Sequence, residues 1–128
     1  MKNKIIVTGG SGFIGTNIIE FFKDKHEVLN LDIESPRNTK HKKYWREINI
    51  LDAKSLNNVF LQFQPDFVIH MAARTDLDGK SLEEYRANIK GVENVILATN
   101  NTPSIKKIIF ASSRLVCEIG YEPKDEFD

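Results

Sequence analysis

Short apolar runs separated by amphipathic stretches set the pattern of this chain. Ile5 to Thr8 is brief, β-branched and closed by glycine, which predicts a buried strand. Phe13, Ile14, Asn17, Ile18, Phe21 and Phe22 then recur at helical spacing and predict a helix from about Gly12 to Lys25. Glu27 to Asp32 reads as a second strand. Ile33 to Lys43 is polar and turn-rich, with Ser35-Pro36 as a breaker, and Tyr44 to Ile50 reads as a third strand. Asp52 is a good N-cap for a helix over Ala53 to Gln62, whose apolar face is Leu56, Val59, Phe60 and Phe63. Phe67 to Ala73 is a fourth strand running into small residues. Ser81 to Asn100 is a long helix. Its stripe of Leu82, Tyr85, Ile89, Val92 and Ile96 is expected to face the sheet, while Ala87, Gly91, Val95 and Ala98 lie around another face. Thr102-Pro103-Ser104 ends that helix, and Lys106 to Ala111 is a fifth strand. From Arg114 onward no element is legible.

Strands alternate with helices, and the strands are mostly apolar with little polar alternation, as in a parallel sheet covered on both faces. Right-handed crossovers then give an α/β, doubly wound fold with strand order 3-2-1-4-5. Residues 1–128 read as one domain, truncated before a sixth strand. A ligand belongs at the carboxyl ends of strands 1 and 4, where the strand order reverses.

Composition narrows the function classes. Hydrophobic residues are 41% and charged residues 28% of the 128, the content of a soluble globular domain. Net charge is zero, so no overall field recruits nucleic acid or an anionic membrane. No apolar run approaches the roughly 18 residues of a membrane span, and only Ile5-Ile6-Val7 follows the basic start, too short for a signal-peptide core. A cytoplasmic location is the default expectation. The single cysteine, Cys117, cannot pair internally and reads as a small apolar filler. His26 and His41 read as surface residues, and no His, Cys, Asp and Glu cluster has metal-site spacing.

Chemistry concentrates in Thr8-Gly9-Gly10-Ser11-Gly12-Phe13-Ile14-Gly15. A strand, a glycine-rich turn and a helix start form the context a phosphate needs, because bare backbone and unpaired N–H groups meet the anion. The spacing is Gly-x-x-Gly-x-x-Gly. Gly9 suits the tight turn, Gly12 the approach of phosphate, and Gly15 the packing of helix on strand. A ligand-free turn has the same composition. Asp32 ends the second strand, where a carboxylate accepts both ribose hydroxyls of adenosine and repels a 2′-phosphate, so it favours NAD over NADP. The alternative is a surface aspartate, and Arg37 beyond it suits a 2′-phosphate. Ala72 and Ala73 leave room for a cofactor across the strand end. His70 reads as structural, packed near the phosphate turn rather than catalytic. Ser112 and Ser113 end the fifth strand on the same rim, with no Gly-x-Ser-x-Gly elbow.

In combination these residues resemble the extended short-chain dehydrogenase/reductase family, the NAD-dependent sugar-nucleotide epimerases and dehydratases. The family's Thr-Gly-x-x-Gly-x-x-Gly is matched by Thr8 to Gly15, its strand-two aspartate by Asp32, and its His-x-Ala-Ala by His70 to Ala73. Asn88 with Gly91-Val92-Glu93-Asn94, and Phe110-Ala111-Ser112-Ser113, complete the ordered match. The resemblance implies a Rossmann-like domain with NAD held by Thr8, Gly9, Gly12, Phe13, Ile14, Gly15, Asp32, Ala72, Ala73 and Asn88. It implies hydride transfer from a sugar carbon of a nucleotide sugar, with Ser113 as the catalytic hydroxyl that orients the sugar. A homodimer through the helix at 81–100 is implied as well.

Two departures stand out. The family's adenine-contacting aspartate is replaced by Asn49, with Ile50 beside it for apolar contact with the ring. The family's Tyr-x-x-x-Lys pair, in which tyrosine takes the hydroxyl proton and lysine lowers its pKa, is expected beyond Asp128. Tyr44 and Tyr85 are each followed four residues later by isoleucine. Two classes stay open at this point: the NAD-binding part of a sugar-nucleotide enzyme, inactive without its remainder, or a non-catalytic dinucleotide-binding or sensing module.

Overall fold

The computed structural model describes residues 1–122, 124 and 125. Five parallel strands form one sheet in the order β3-β2-β1-β4-β5, as the alternation predicts. They are β1 (Lys4–Thr8), β2 (Glu27–Asp32), β3 (Trp45–Glu47), β4 (Phe67–His70) and β5 (Lys107–Phe110). Helix α1 (Phe13–Phe22) joins β1 to β2, α2 (Ala53–Phe63) joins β3 to β4, and α3 (Arg86–Asn100) leads to β5. Among the described residues no helix is long and apolar enough to cross a membrane.

The centre of the sheet is buried from both sides, which explains the apolar run Ile5-Ile6-Val7 in β1. Ile5 and Val7 pack with Val28 and Ile19 of α1, while Ile6 points the other way into a larger cluster with Leu31, Leu56, Phe60 and Val68. Leu56 and Phe60 of α2 are fully buried, and each such side chain contributes about 1.5–3 kcal/mol. Asp52 caps α2 as predicted, its carboxylate accepting Ser55 N–H at 3.1 Å and Ser55 Oγ–H at 2.6 Å. The helix ends where Gln64 turns left-handed, φ 52°, ahead of Pro65.

The bounds of two elements are corrected. The third strand is only Trp45–Glu47. Asn49 starts a turn instead, its Oδ1 accepting Leu51 N–H at 2.9 Å and its carbonyl accepting Asp52 N–H at 2.9 Å. The long helix begins with a separate 3-10 turn, Leu82–Tyr85, and is regular only from Arg86.

The larger correction concerns which face of α3 is inside. Gly91, Asn94, Val95 and Ala98 are buried, whereas Leu82, Ile89 and Ile96 are exposed. Close packing selects the small residues. A Cβ on Gly91 would lie 2.4 Å from Ile50 Cδ1, and Asn94 Nδ2 donates to Ile50 O at 2.9 Å. No bulky stripe fits that gap.

Two single residues also differ from expectation. Cys117 is exposed and fills no core. His41 is buried at 2% exposure, because a 3-10 turn (Thr39–Tyr44) folds the basic loop back onto α1. Its Nε2 lies 2.7 Å from Glu20 Oε2, and that hydrogen bond lowers the Glu20 pKa. His26 is half-buried, accepting Asn3 N–H at 3.3 Å.

Candidate functional site

The turn after β1 lies at the carboxyl ends of β1 and β4. Gly9 N–H continues the β1–β2 pairing to Leu31 O at 2.9 Å, and Gly9 O accepts Gly12 N–H at 3.2 Å. Gly9 has φ +70°, a left-handed conformation that favours glycine. A Cβ there would also lie 2.7 Å from Ala72 N, so the strand β4 extension passes directly beside the turn. A Cβ on Gly15 would lie 2.2 Å from Gly9 O and 2.6 Å from Gly10 Cα. Gly12 differs. It is exposed, with ordinary extended angles (φ −72°, ψ 178°), and among the described residues a Cβ would meet only Gly9 O at 3.4 Å.

The helix that follows has an open start. Gly12 is its N-cap and offers no side-chain bond, and the first turn holds no acidic residue. The leading N–H groups of such a helix lack intrahelical partners, and its dipole is positive at that end. Phe13 and Ile14, at the start of α1, are exposed.

Beneath the turn, Thr8 ties β1 to β4. Its Oγ1 accepts the N–H groups of Met71 and Ala72, each at 3.2 Å, so its own hydrogen goes to His70 Nδ1 at 2.6 Å. The imidazole therefore carries its proton on Nε2 and is neutral. Burial pushes its pKa down in the same sense. His70 is thus the support under the turn that the sequence suggests.

Asp32 is held at four points. Its Oδ2 accepts Ser11 N–H at 3.0 Å and its Oδ1 accepts Glu34 N–H at 2.9 Å. Its carbonyl accepts Trp45 Nε1–H at 3.0 Å and Ile48 N–H at 3.2 Å. The carboxylate is therefore fixed against the glycine turn. Arg37 is exposed beyond it.

The remaining predicted residues divide. Ala72 and Ala73 lead off from β4 beside Gly9, and Ala73 is exposed. Asn49 is exposed, but Ile50 is turned inward at 6% exposure against Gly91. Asn88 clamps the loop after β4, with Oδ1 accepting Arg74 N–H at 2.7 Å and Nδ2 donating to Arg74 O at 2.9 Å. That loop is also tied by Arg74 to Asp76 at 2.7 and 2.9 Å, and by Tyr85 Oη–H to Asp76 O at 3.0 Å. Ser113 follows β5 on the same rim, exposed, its Oγ accepting Leu115 N–H at 3.1 Å. Sequence reasoning missed Ser11, Asn30 and Trp45. The signal for Asn30 was a polar residue inside an otherwise apolar strand.

Comparison with known proteins agrees with this arrangement. Residues 5–128 match the model of the NAD dependent epimerase/dehydratase family. The chain is 31% identical over 126 residues to a UDP-glucose 4-epimerase of Mycoplasma genitalium, covering 90% of this chain and 37% of the relative. It is 32% identical over 132 residues to a dTDP-glucose 4,6-dehydratase of Neisseria gonorrhoeae, covering 85% and 37%. Among solved structures, the Bordetella bronchiseptica enzyme WbmG in complex with NAD superposes with a TM-score of 0.75 at 28% identity, covering 86% of this chain and 37% of that one. The chain thus spans little more than a third of the length of these relatives. From the glycine turn, the fold and these matches together, the chain belongs to the NAD-dependent epimerase/dehydratase family.

Proposed function

We propose that this chain is the NAD-binding part of a sugar-nucleotide epimerase or dehydratase, with residues 1–128 as its dinucleotide-binding domain. One observation carries the reading. Gly9 and Gly15 are glycine because the fold leaves no room for a Cβ, whereas Gly12 has room and unstrained angles. A ligand that must approach the backbone there accounts for it. The open start of α1 supports the same reading, since an anion satisfies both the free amides and the dipole.

In this reading the pyrophosphate lies against Gly12, Phe13 and Ile14. Thr8, Gly9 and Gly15 shape the turn, Asp32 accepts the adenosine ribose hydroxyls, and Asn49 accepts from the adenine amino group. Ala72 and Ala73 leave the strand end clear, while Asn88 holds their loop in place beside the dinucleotide. NAD supplies the hydride acceptor for a sugar carbinol. Ser113 offers a hydroxyl on the rim to orient the sugar. The general base is proposed to be a tyrosine whose pKa a lysine lowers, a Tyr-x-x-x-Lys spacing that residues 1–128 do not contain. The exposed apolar face of α3, with Ile89 and Ile96, is the proposed homodimer surface. Sedimentation at several concentrations tests that part.

The intact protein is titrated with NAD and assayed for NADH formation or epimer exchange over a panel of nucleotide sugars. NAD binding with turnover is expected. Binding without turnover of any nucleotide sugar indicates a non-catalytic dinucleotide module, and absence of NAD binding refutes the site itself.

A further inference from the structure

We propose that Asn30, acting through Ser11, is a positioning residue that fixes the Asp32 carboxylate at the dinucleotide site and so sets the preference for NAD over NADP. The proposal rests on the reading of the glycine turn given above.

The neighbours of Asn30 in β2 are Val28, Leu29 and Leu31, all buried, and Asn30 itself is 1% exposed. A strand buried on both faces ordinarily carries apolar residues throughout. Here the amide Nδ2 donates to Ser11 Oγ at 3.0 Å. Ser11 Oγ–H in turn donates to Glu34 O at 2.7 Å, and Ser11 N–H donates to Asp32 Oδ2 at 3.0 Å. One serine therefore joins the glycine turn to the carboxylate and to the chain two residues beyond it. Asn30 holds that serine from below. Its side chain also fills the space under Gly10, where a Cβ would lie 2.4 Å from Oδ1.

The other end of the amide argues against a purely stabilising role. Asn30 Oδ1 is buried and has no hydrogen-bond partner among the described residues. An apolar side chain of similar size would leave no such acceptor unpaired, so the residue is poorly suited to stability alone. What it adds is direction. Without it the Ser11 side chain keeps its bond to Glu34 O but loses its tie to β2, so the turn that carries the Ser11 N–H, the donor to Asp32 Oδ2, is less firmly placed. NAD depends on an aligned carboxylate to receive two hydroxyl hydrogens. NADP is opposed by that same carboxylate and loses less when it swings away.

The intact protein and its Asn30→Val, Ser11→Ala and doubly substituted variants are titrated with NAD and with NADP, and their melting temperatures are measured. Asn30→Val is expected to melt no lower than wild type, while its NAD Kd rises about tenfold and its NAD-to-NADP preference falls. The double variant is expected to be no worse than the weaker single, because both break one chain of bonds. A folded Asn30→Val with unchanged Kd and unchanged preference overturns the proposal, as do additive effects in the double variant. If Asn30→Val does not fold, an unchanged preference in Ser11→Ala overturns it equally. Wild type that binds neither nucleotide refutes the underlying site, a result distinct from wild type that binds NAD and is indifferent to residue 30.

Discussion

Replacing Gly12 with alanine or valine separates a glycine required by the fold from one required by a ligand. Among the described residues a Cβ at this position meets only Gly9 O at 3.4 Å, an ordinary contact, and φ −72° with ψ 178° is open to any residue. Losing glycine at an N-cap costs about 0.5–1 kcal/mol. Restricting the unfolded chain at a compatible site returns about 0.4–1 kcal/mol. The two offset, so the folded protein should change by less than about 0.5 kcal/mol. The ligand faces a different balance. A side chain at Gly12 stands between the pyrophosphate and the first amides of α1. Two charge-assisted hydrogen bonds at about 1.5–3 kcal/mol each amount to about 3–6 kcal/mol, or about 10²- to 10⁴-fold in Kd. Titration with NAD can be followed through the chain's only tryptophan, Trp45, whose Nε1 is bonded to Asp32 O. Thermal unfolding supplies the stability control. Gly12→Val binding NAD within about threefold of wild type would refute the reasoning, as would a variant that loses more than about 2 kcal/mol of stability, since Gly12 would then be a glycine of the fold.

Three further outcomes are expected. Gly15→Ala pushes a Cβ into Gly9 O and Gly10 Cα, backbone that cannot rotate away, and should cost about 2–3 kcal/mol in denaturant unfolding even without ligand. On α3, Val95→Ala should cost about 2 kcal/mol, while Ile96→Ser, on the 42% exposed position next to it, should stay within about 0.5 kcal/mol; the reverse order would restore the face predicted from hydrophobicity. Burial holds the folded His70 pKa below the ordinary 6.5, so between those values the unfolded chain binds the proton and the folded one does not. Stability should therefore rise with pH up to about 6.5 and flatten above it, and His70→Asn, which keeps an acceptor for Thr8, should remove that slope in urea titrations.

The parts of the fold legible in the sequence are those that depend on local pattern. The β1 run, the glycine turn and the α1 stripe lie within one stretch, and the strand order follows from the alternation of elements. The turn and packing jobs that the spacing suggests for Gly9 and Gly15 are ones their geometry supports. The face of α3 was read the wrong way because its helix carries two stripes, and hydrophobicity alone favours Ile89 and Ile96. The distance between α3 and Ile50 decides the matter, and that distance is not a local property. His41 shows the same limit. A basic run looks solvated, yet its histidine is buried against Glu20, 21 residues earlier. The sequence pattern predicts that Asn49 and Ile50 face the ring as a pair. The turn at Asn49 sends the two side chains in different directions, one outward and one into the core.

Asp32 raises a question that lone-pair counting answers. Both of its carboxylate oxygens already accept a backbone N–H, which at first sight leaves it no capacity for a ribose. An ionised carboxylate has about four acceptor sites, two per oxygen. Ser11 N–H and Glu34 N–H use one on each, so one on each remains. Two hydroxyl hydrogens, on adjacent ribose carbons, match that remainder in number. An asparagine could not serve, because its nitrogen end donates and would face one of the two backbone N–H groups. The same two amides that anchor the carboxylate also hold it between the glycine turn and the Glu34 segment, so a 2′-phosphate would meet a negative charge that cannot move aside. Structural and recognition roles are therefore compatible in one side chain, and the proposed preference for the unphosphorylated dinucleotide depends on both being met together.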